Sequence, residues 1–201
     1  MIILNNIWTM IEFVSFFVLI FVFFLDPIRR WNFFGYRPTA VIGMFDADTE
    51  KVLLSKVNDV WSFNQGGIYE ENIYLTVNEI LRRELALPEY CFRLMCTKPL
   101  GVIRIHERRL ITRPRITSIS LFSDIRGKGY LACFALADLK SIEPQIHKGA
   151  GVQEFTVVSL AEAEKLIVGS SNAEHVPQKQ QMILGMFQEI RQLIAMQKTN
   201  A

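Results

Sequence analysis

The sequence predicts a mixed α/β (α+β) domain, its sheet sandwiched between helices, preceded by one transmembrane helix. Three observations predict it. Residues 7–25 form an apolar run with a single charge, Glu12. After Pro38 the apolar residues fall into strand-length runs separated by turn residues. Two later stretches, residues 75–87 and the segment opened by Pro177, repeat apolar residues at helical spacing.

The apolar run is nineteen residues long. At about 1.5 Å per residue a helix of that length spans roughly 28 Å, close to the hydrocarbon thickness of a bilayer. Trp8 lies at one end and Trp31 just past the other, where amphipathic rings favour a membrane interface. A cleaved leader wants a basic start and a small-residue cleavage site. This run has no Lys or Arg before Arg29 and closes on Phe-Phe-Leu-Asp-Pro, so an uncleaved anchor is expected. Arg29, Arg30 and Arg37 directly follow it, which places the C-terminal domain on the cytoplasmic side and the short N-terminus outside. Glu12 either pairs with a partner helix or reaches the interface; the second is cheaper. The expected organisation is a tail over 1–6, the span over 7–25, a juxtamembrane linker over 26–38 and one domain over 39–197.

Within the domain, residues 39–45 read as a strand, Asp46-Ala47-Asp48-Thr49 as a turn, and residues 51–57 as the returning strand. Asn64-Gln65-Gly66-Gly67 reads as a glycine-rich loop. Val77, Leu81 and Leu85 mark a helix that Pro88 closes. Residues 115–122, 129–136 and 152–158 are the clearest later strands. Ser159 caps a short helix over 161–168. A final amphipathic helix follows Pro177, with Met182, Phe187, Ile190 and Ile194 among its apolar residues. The net charge of +2 names no partner. Cys91, Cys96 and Cys133 are odd in number and match no metal knuckle, so reduced thiols are expected; His106, His147 and His175 are scattered and suggest no zinc site.

Residues 34–194 resemble a Nudix domain, and are most similar to bacterial RNA pyrophosphohydrolases and dinucleoside polyphosphate hydrolases. Gly35-Tyr36-Arg37-Pro38, Lys51-Val52-Leu53-Leu54 and above all Trp61-Ser62-Phe63-Asn64-Gln65-Gly66-Gly67-Ile68 carry the resemblance. The family's run is Trp-x-Phe-Pro-Gln-Gly-Gly-Ile, so Asn64 stands where a proline is expected. Lys128-Gly129-Tyr130, Glu154-Phe155 and the closing helix fall in the family's order. The resemblance implies a Nudix-type fold. It also implies glutamates on one helical face that gather Mg²⁺ or Mn²⁺, which polarises a pyrophosphate and activates water.

The signature Gly-x5-Glu-x7-Arg-Glu-U-x-Glu-Glu-x-Gly-U (U apolar) fits poorly. Asn72 falls where the first glutamate belongs. The register that keeps the apolar positions matches Glu79-Ile80-Leu81-Arg82-Arg83-Glu84 to the central block, with Ala86 at the late glycine. The metal face then holds Ile80, Arg83 and Glu84; the ungapped register gives Leu81, Glu84 and Leu85. Glu84 is the one carboxylate in either. Arg83 donates hydrogen bonds and cannot ligate a cation. Glu79 and Arg83, four apart, suit an ordinary helix ion pair worth about 0.3–0.5 kcal/mol. A rebuilt catalytic or metal site would have to use Glu84 and Glu79 with Glu70 and Glu71, and Asn72 as a weak oxygen. No cofactor is expected; Mg or Mn enters only if hydrolysis survives.

Arg104, Arg108, Arg109, Arg113 and Arg115 form a basic stretch with His106 among them, and Arg93 and Lys98 could extend it. In the resembled hydrolases such a stretch holds a phosphorylated RNA end, a task that suits the planar guanidinium. Contact with anionic lipid, or simple solubility, fits the same residues. Tyr36, Trp61 and Tyr69 are stacking candidates and equally packing candidates. The expected function is a membrane-anchored Nudix-like domain that binds a phosphorylated nucleotide, an RNA 5′ end or a protein partner with weak or no hydrolysis. Gln65, Gly66 and Gly67 would shape the pocket and the arginines supply charge. Two alternatives stay open. One is an active Mg-dependent Nudix hydrolase cleaving a nucleoside diphosphate-linked substrate. The other is a structural or regulatory subunit beside a membrane protein partner, in an unspecified oligomer.

Overall fold

A computed structural model describes residues 11–18, 20–21, 25–69, 72–89, 91–104, 127–142, 144–146, 151–170 and 177–199. The chain divides into two compact units, Met1–Arg37 with Arg104–Lys128, and Pro38–Ile103 with Gly129–Ala201.

In the first unit, residues 11–18, 20–21 and 25 are helical. Their large side chains are exposed all around the helix: Phe13, Val14, Phe16, Phe17, Val18, Phe21 and Leu25 each show more than half their surface. The rest of the expected span lies outside the described residues. Among those described, no helix is long and apolar enough to cross a membrane. Within the expected linker over 26–38 lie a short helix, α1 (Pro27–Phe33), and the start of a strand. Asp26 caps α1, accepting from the Ile28 and Arg29 amides at 2.8 and 3.3 Å, and Pro27 fills the first position, where a missing N–H costs nothing. Trp31, expected at an interface, is 4% exposed and packs inside the protein.

Seven strands make one sheet among the described residues: β1 (Tyr36–Asp46), β2 (Lys51–Val57), β3 (Val60–Ser62), β4 (Asn64–Gly67), β5 (Arg93–Arg104), β6 (Gly127–Leu136) and β7 (Glu154–Ser159). The order is β3-β2-β1-β6-β5, with β4 added on β1 and β7 on β2. Asp46 makes the β1–β2 turn, its carboxylate accepting from the Asp48 and Thr49 amides at 2.9 and 3.1 Å. Asn58 and Asp59 both take positive φ, 50° and 63°, and form the two-residue turn into β3. A turn with two left-handed residues matches the twist of a hairpin, and Asn and Asp tolerate it.

The expected glycine loop is strand β4. It pairs with β1 in the register Ala40↔Gly66 and Ile42↔Asn64. Helix α2 (Ile73–Leu85) begins and ends two residues before the expected 75–87. Asn72 is its N-cap, with its oxygen taken by the Tyr74 and Leu75 amides at 3.0 and 3.4 Å, so it is not the weak metal oxygen that a rebuilt site would use. Ala86 ends α2 in the left-handed conformation, φ 50°. This is the position matched to the late glycine, and only glycine adopts that conformation without strain. Ala86→Gly is therefore expected to add about 1 kcal/mol, raising Tm by roughly 2–4 °C in a thermal melt; an unchanged or lower Tm would refute the strain.

Ser159 caps α3 (Leu160–Gly169), as expected, and α4 (Pro177–Thr199) closes the chain. The expected strand over 115–122 lies outside the described residues. Val41, Phe45, Val52, Leu54, Phe63, Tyr130, Ala132 and Phe134 face α3 and α4, whose Ile183, Met186, Phe187, Ile190 and Ile194 complete a core with Phe63 and Phe187 rings 5.1 Å apart. Side chains alternate along a strand. Ala40, Ile42, Met44 and Leu53 therefore lie on the opposite face; they too are at most 1% exposed. Helix α2 covers that face, with Val77, Ile80, Leu81 and Leu85 buried. The sheet is thus sandwiched between helices. All three cysteines are free thiols. Cys133 is buried, which pushes its pKa up to about 12.

Candidate functional site

The glycine strand and the end of α2 meet because Gly66 has no side chain. A Cβ there would stand 2.5 Å from Ile80 Cγ1, 2.7 Å from Ile80 Cδ1 and 3.2 Å from Arg83 Nη2. The Ile80 side chain of α2 therefore packs onto the β4 backbone itself, and Asn64 is brought against Glu84. Asn64 Nδ2 donates to Glu84 Oε2 at 3.0 Å, and both residues are buried, at 3% and 9% exposure. Arg83 Nη2 lies 3.5 Å from the other oxygen, Oε1, with about half of the Arg83 side chain in solvent. A proline at residue 64 could not make the first contact. The departure from the family's run is thus the residue that holds the surviving glutamate.

Burial pushes the Glu84 carboxyl above its ordinary 4.5, outweighing the Asn64 hydrogen bond and the Arg83 charge. A carboxyl with a raised folded pKa contributes its full stabilisation below the unfolded value and loses it as pH rises through the folded value. The Glu84 contribution to stability is expected to fall as pH rises above its ordinary 4.5, and Glu84→Gln to remove that part of the slope. Melts at stepped pH read this directly, and parallel slopes in both proteins would contradict it.

The other candidate residues divide. Glu79 is exposed and sits five residues, about 140° of helix, from Glu84. Arg83 pairs with Glu84 and, among the described residues, forms no ion pair with Glu79, a correction to the expected i,i+4 pair. Glu70 and Glu71 lie outside the described residues. Gln65 pairs with Val41, which faces the core shared with α4, so strand alternation puts Gln65 on the sheet face away from Glu84. Gly67 pairs with Thr39. Trp61 packs against the core beneath the Lys56 ammonium, 5.9 Å from its ring, rather than standing open to stack on a base. Tyr69 is exposed and Tyr36 half-buried. Arg104 is exposed at the end of β5; Arg108, Arg109, Arg113, Arg115 and His106 lie outside the described residues.

Among the described residues no three His, Cys, Asp or Glu side chains gather as a metal site would need. The donor set at Glu84 does not suit a divalent ion either. One carboxylate has N–H donors at both oxygens, and a guanidinium stands where a second anionic ligand belongs.

A second cationic feature escaped the sequence reading. Arg37, at the start of β1, and Lys128, at the start of β6, act on each other: burial first, and then the Arg37 charge, push the Lys128 ammonium below its ordinary 10.5. Both residues lie in motifs that carry the family resemblance. Their pairing depends on β6 lying beside β1, which local pattern does not reveal.

No protein-family model matches the chain, and no curated protein matches its sequence. Solved structures do. A C. elegans Ap4A hydrolase, solved as a binary complex, superposes with a TM-score of 0.53 at 11% identity, covering 79% of this chain and 98% of the other. A Nudix hydrolase from M. smegmatis, RenU, gives 0.49 at 12% identity over 82% and 90%. The Nudix domain of Shewanella oneidensis NrtR, complexed with ADP ribose, gives 0.44 at 18% identity over 73% and 85%. The likeness to the C. elegans enzyme establishes the fold: a mixed sheet flanked by helices, of Nudix type.

Proposed function

We propose that this chain is a membrane-tethered Nudix-fold module that binds a phosphorylated nucleotide or an RNA 5′ end without metal-dependent hydrolysis. The observation that carries the reading is the Arg37–Lys128 neighbour pair. Lys128 is substantially buried, and burial first and then the Arg37 charge disfavour its ammonium. A phosphate at Lys128 would relieve this, taking the point charge of the lysine with the Arg37 charge acting on the same place. The Glu84 arrangement supports binding over turnover, since it offers too little negative charge to hold Mg²⁺ or Mn²⁺. The arginines from Arg104 to Arg115 add attraction for a polyanion.

The tether is supported by the exposure of the described apolar side chains Ile11, Phe13, Val14, Phe16, Phe17, Val18, Phe21 and Leu25, a surface that water disfavours. Charge supports its orientation. Arg29, Arg30 and Arg37 follow the apolar run, with no Asp or Glu among residues 29–37. Positive charge contiguous with a span favours the cytoplasmic side.

Isothermal titration of the full chain in nanodiscs tests the reading, with ADP, Ap4A and a 5′-triphosphorylated oligoribonucleotide as probes. At least one is expected to bind, and Arg37→Ala or Lys128→Ala to weaken it tenfold or more. Turnover with Mg²⁺ or Mn²⁺ that vanishes in Glu84→Gln would instead make the chain a hydrolase, and no binding by any probe would favour a subunit role. Alkaline carbonate extraction tests the tether; release of the chain into the soluble fraction would end that part.

A further inference from the structure

We infer that the Arg83 guanidinium takes the place of the divalent cation in this fold, making the Gly66–Arg83–Glu84 corner a metal-independent site for a phosphate or diphosphate group. The inference rests on the phosphorylated-ligand reading above and names a phosphate site lying wholly within the unit Pro38–Ile103 with Gly129–Ala201.

Three observations carry it. Arg83 stands directly over the bare backbone of Gly66, with Nη2 3.2 Å from where a Cβ would be. Among the described residues its acidic neighbour is Glu84, at a long 3.5 Å, and Glu84 is itself fixed by Asn64 at 3.0 Å. About half of the Arg83 side chain faces solvent. The guanidinium is therefore anchored on one edge and open on the other. It has five N–H donors and spends one on a long contact. The remaining edge presents the planar fork that grips two phosphate oxygens at once. Glu84 here orients the arginine instead of ligating an ion, and is a positioning residue.

Electrostatics makes the exchange self-consistent. A divalent ion beside Glu84 would sit against a fixed positive charge, and the buried carboxylate would have to give up two donors to bind it. A phosphate at the same corner meets a cation already in place. The corner thus recognises the anion directly, whereas a metal-dependent site recognises it through Mg²⁺ or Mn²⁺. Arg82, exposed in the same last turn of α2, adds positive charge nearby.

The test uses the full chain in nanodiscs, with inorganic pyrophosphate and ADP as probes and Mn²⁺ binding read by electron paramagnetic resonance. Wild type is expected to bind the probes equally in EDTA and in Mg²⁺, Arg83→Gln to bind at least tenfold more weakly, and Arg83→Lys to fall between. Arg83→Glu, which sets a second carboxylate beside Glu84, is expected to lose the anion and acquire Mn²⁺. Anion binding that needs Mg²⁺ would overturn the inference. So would Arg83→Gln binding as tightly as wild type, or Mn²⁺ held by wild type as tightly as by Arg83→Glu. If ADP affinity falls in Arg37→Ala but not in Arg83→Gln, this subsite is wrong and the wider reading survives. If neither probe binds the parent in EDTA, the subsite is likewise refuted.

Discussion

The Gly66→Ala variant is expected to melt roughly 4–10 °C below the parent, a loss of about 2–3 kcal/mol. The reason is steric. The new methyl would sit 2.5 and 2.7 Å from two carbons of Ile80, closer than real contacts allow. Ile80 is 2% exposed and fills the α2 face of the sheet, so it has little room to withdraw. Either α2 lifts from β4 or Ile80 leaves its rotamer, and both disturb the core on that side. Lifting the helix also separates Asn64 from Glu84 and moves Arg83 off the glycine strand. The same variant is therefore expected to weaken pyrophosphate binding. Ile80→Val in the Gly66→Ala background removes one of the clashing carbons and is expected to restore part of the melting temperature. A Gly66→Ala melt within 1 °C of the parent would show that the helix packs less closely than described.

The second large effect is expected at Asn64. Asn64→Leu leaves a buried carboxylate without its amide donor, at a cost of about 2–3 kcal/mol, because hydrogen bonds to charged groups are strong and an orphaned buried acceptor keeps its desolvation penalty. The loss should be larger at neutral pH than near pH 4.5, where Glu84 is closer to neutral in the fold. Asn64→Leu combined with Glu84→Leu is expected to recover much of the stability, since replacing both polar partners by apolar ones removes the unpaired group. Urea unfolding of the two single variants and the double variant reads the coupling. Additive losses would mean that Asn64 and Glu84 do not depend on each other.

Much of the fold was legible because its signals are local. The strands over 39–45 and 51–57 appear as β1 and β2, and the helix closed before Pro88, the Ser159 cap and the Pro177 start all appear in place. Each reports a preference of neighbouring residues along the chain. The misreadings have physical causes too. Asn64–Gly67 looks like a loop by composition, yet β1 supplies a partner for its backbone, and ladder hydrogen bonds override the weak strand preference of glycine. Trp31 looks like an interface residue by position, yet Asp26 and Pro27 start a helix in which it is buried.

The candidate site was legible in part. Loss of the acidic face could be read from Ile80, Arg83 and Glu84 without knowing any contact, because helical spacing alone places them together. That Glu84 is held by an amide donor could not be read, since its partner Asn64 lies on another element.

By itself the sequence determined the sheet between helices, the apolar N-terminal segment and the shortage of carboxylates on α2, because these follow from periodicity and residue type. Only the tertiary structure decided that Asn64 clamps Glu84 and that Arg83 overlies Gly66, and that the Arg37 charge acts on Lys128. These contacts join elements far apart in the chain, and their existence depends on how closely β4, α2, β1 and β6 pack.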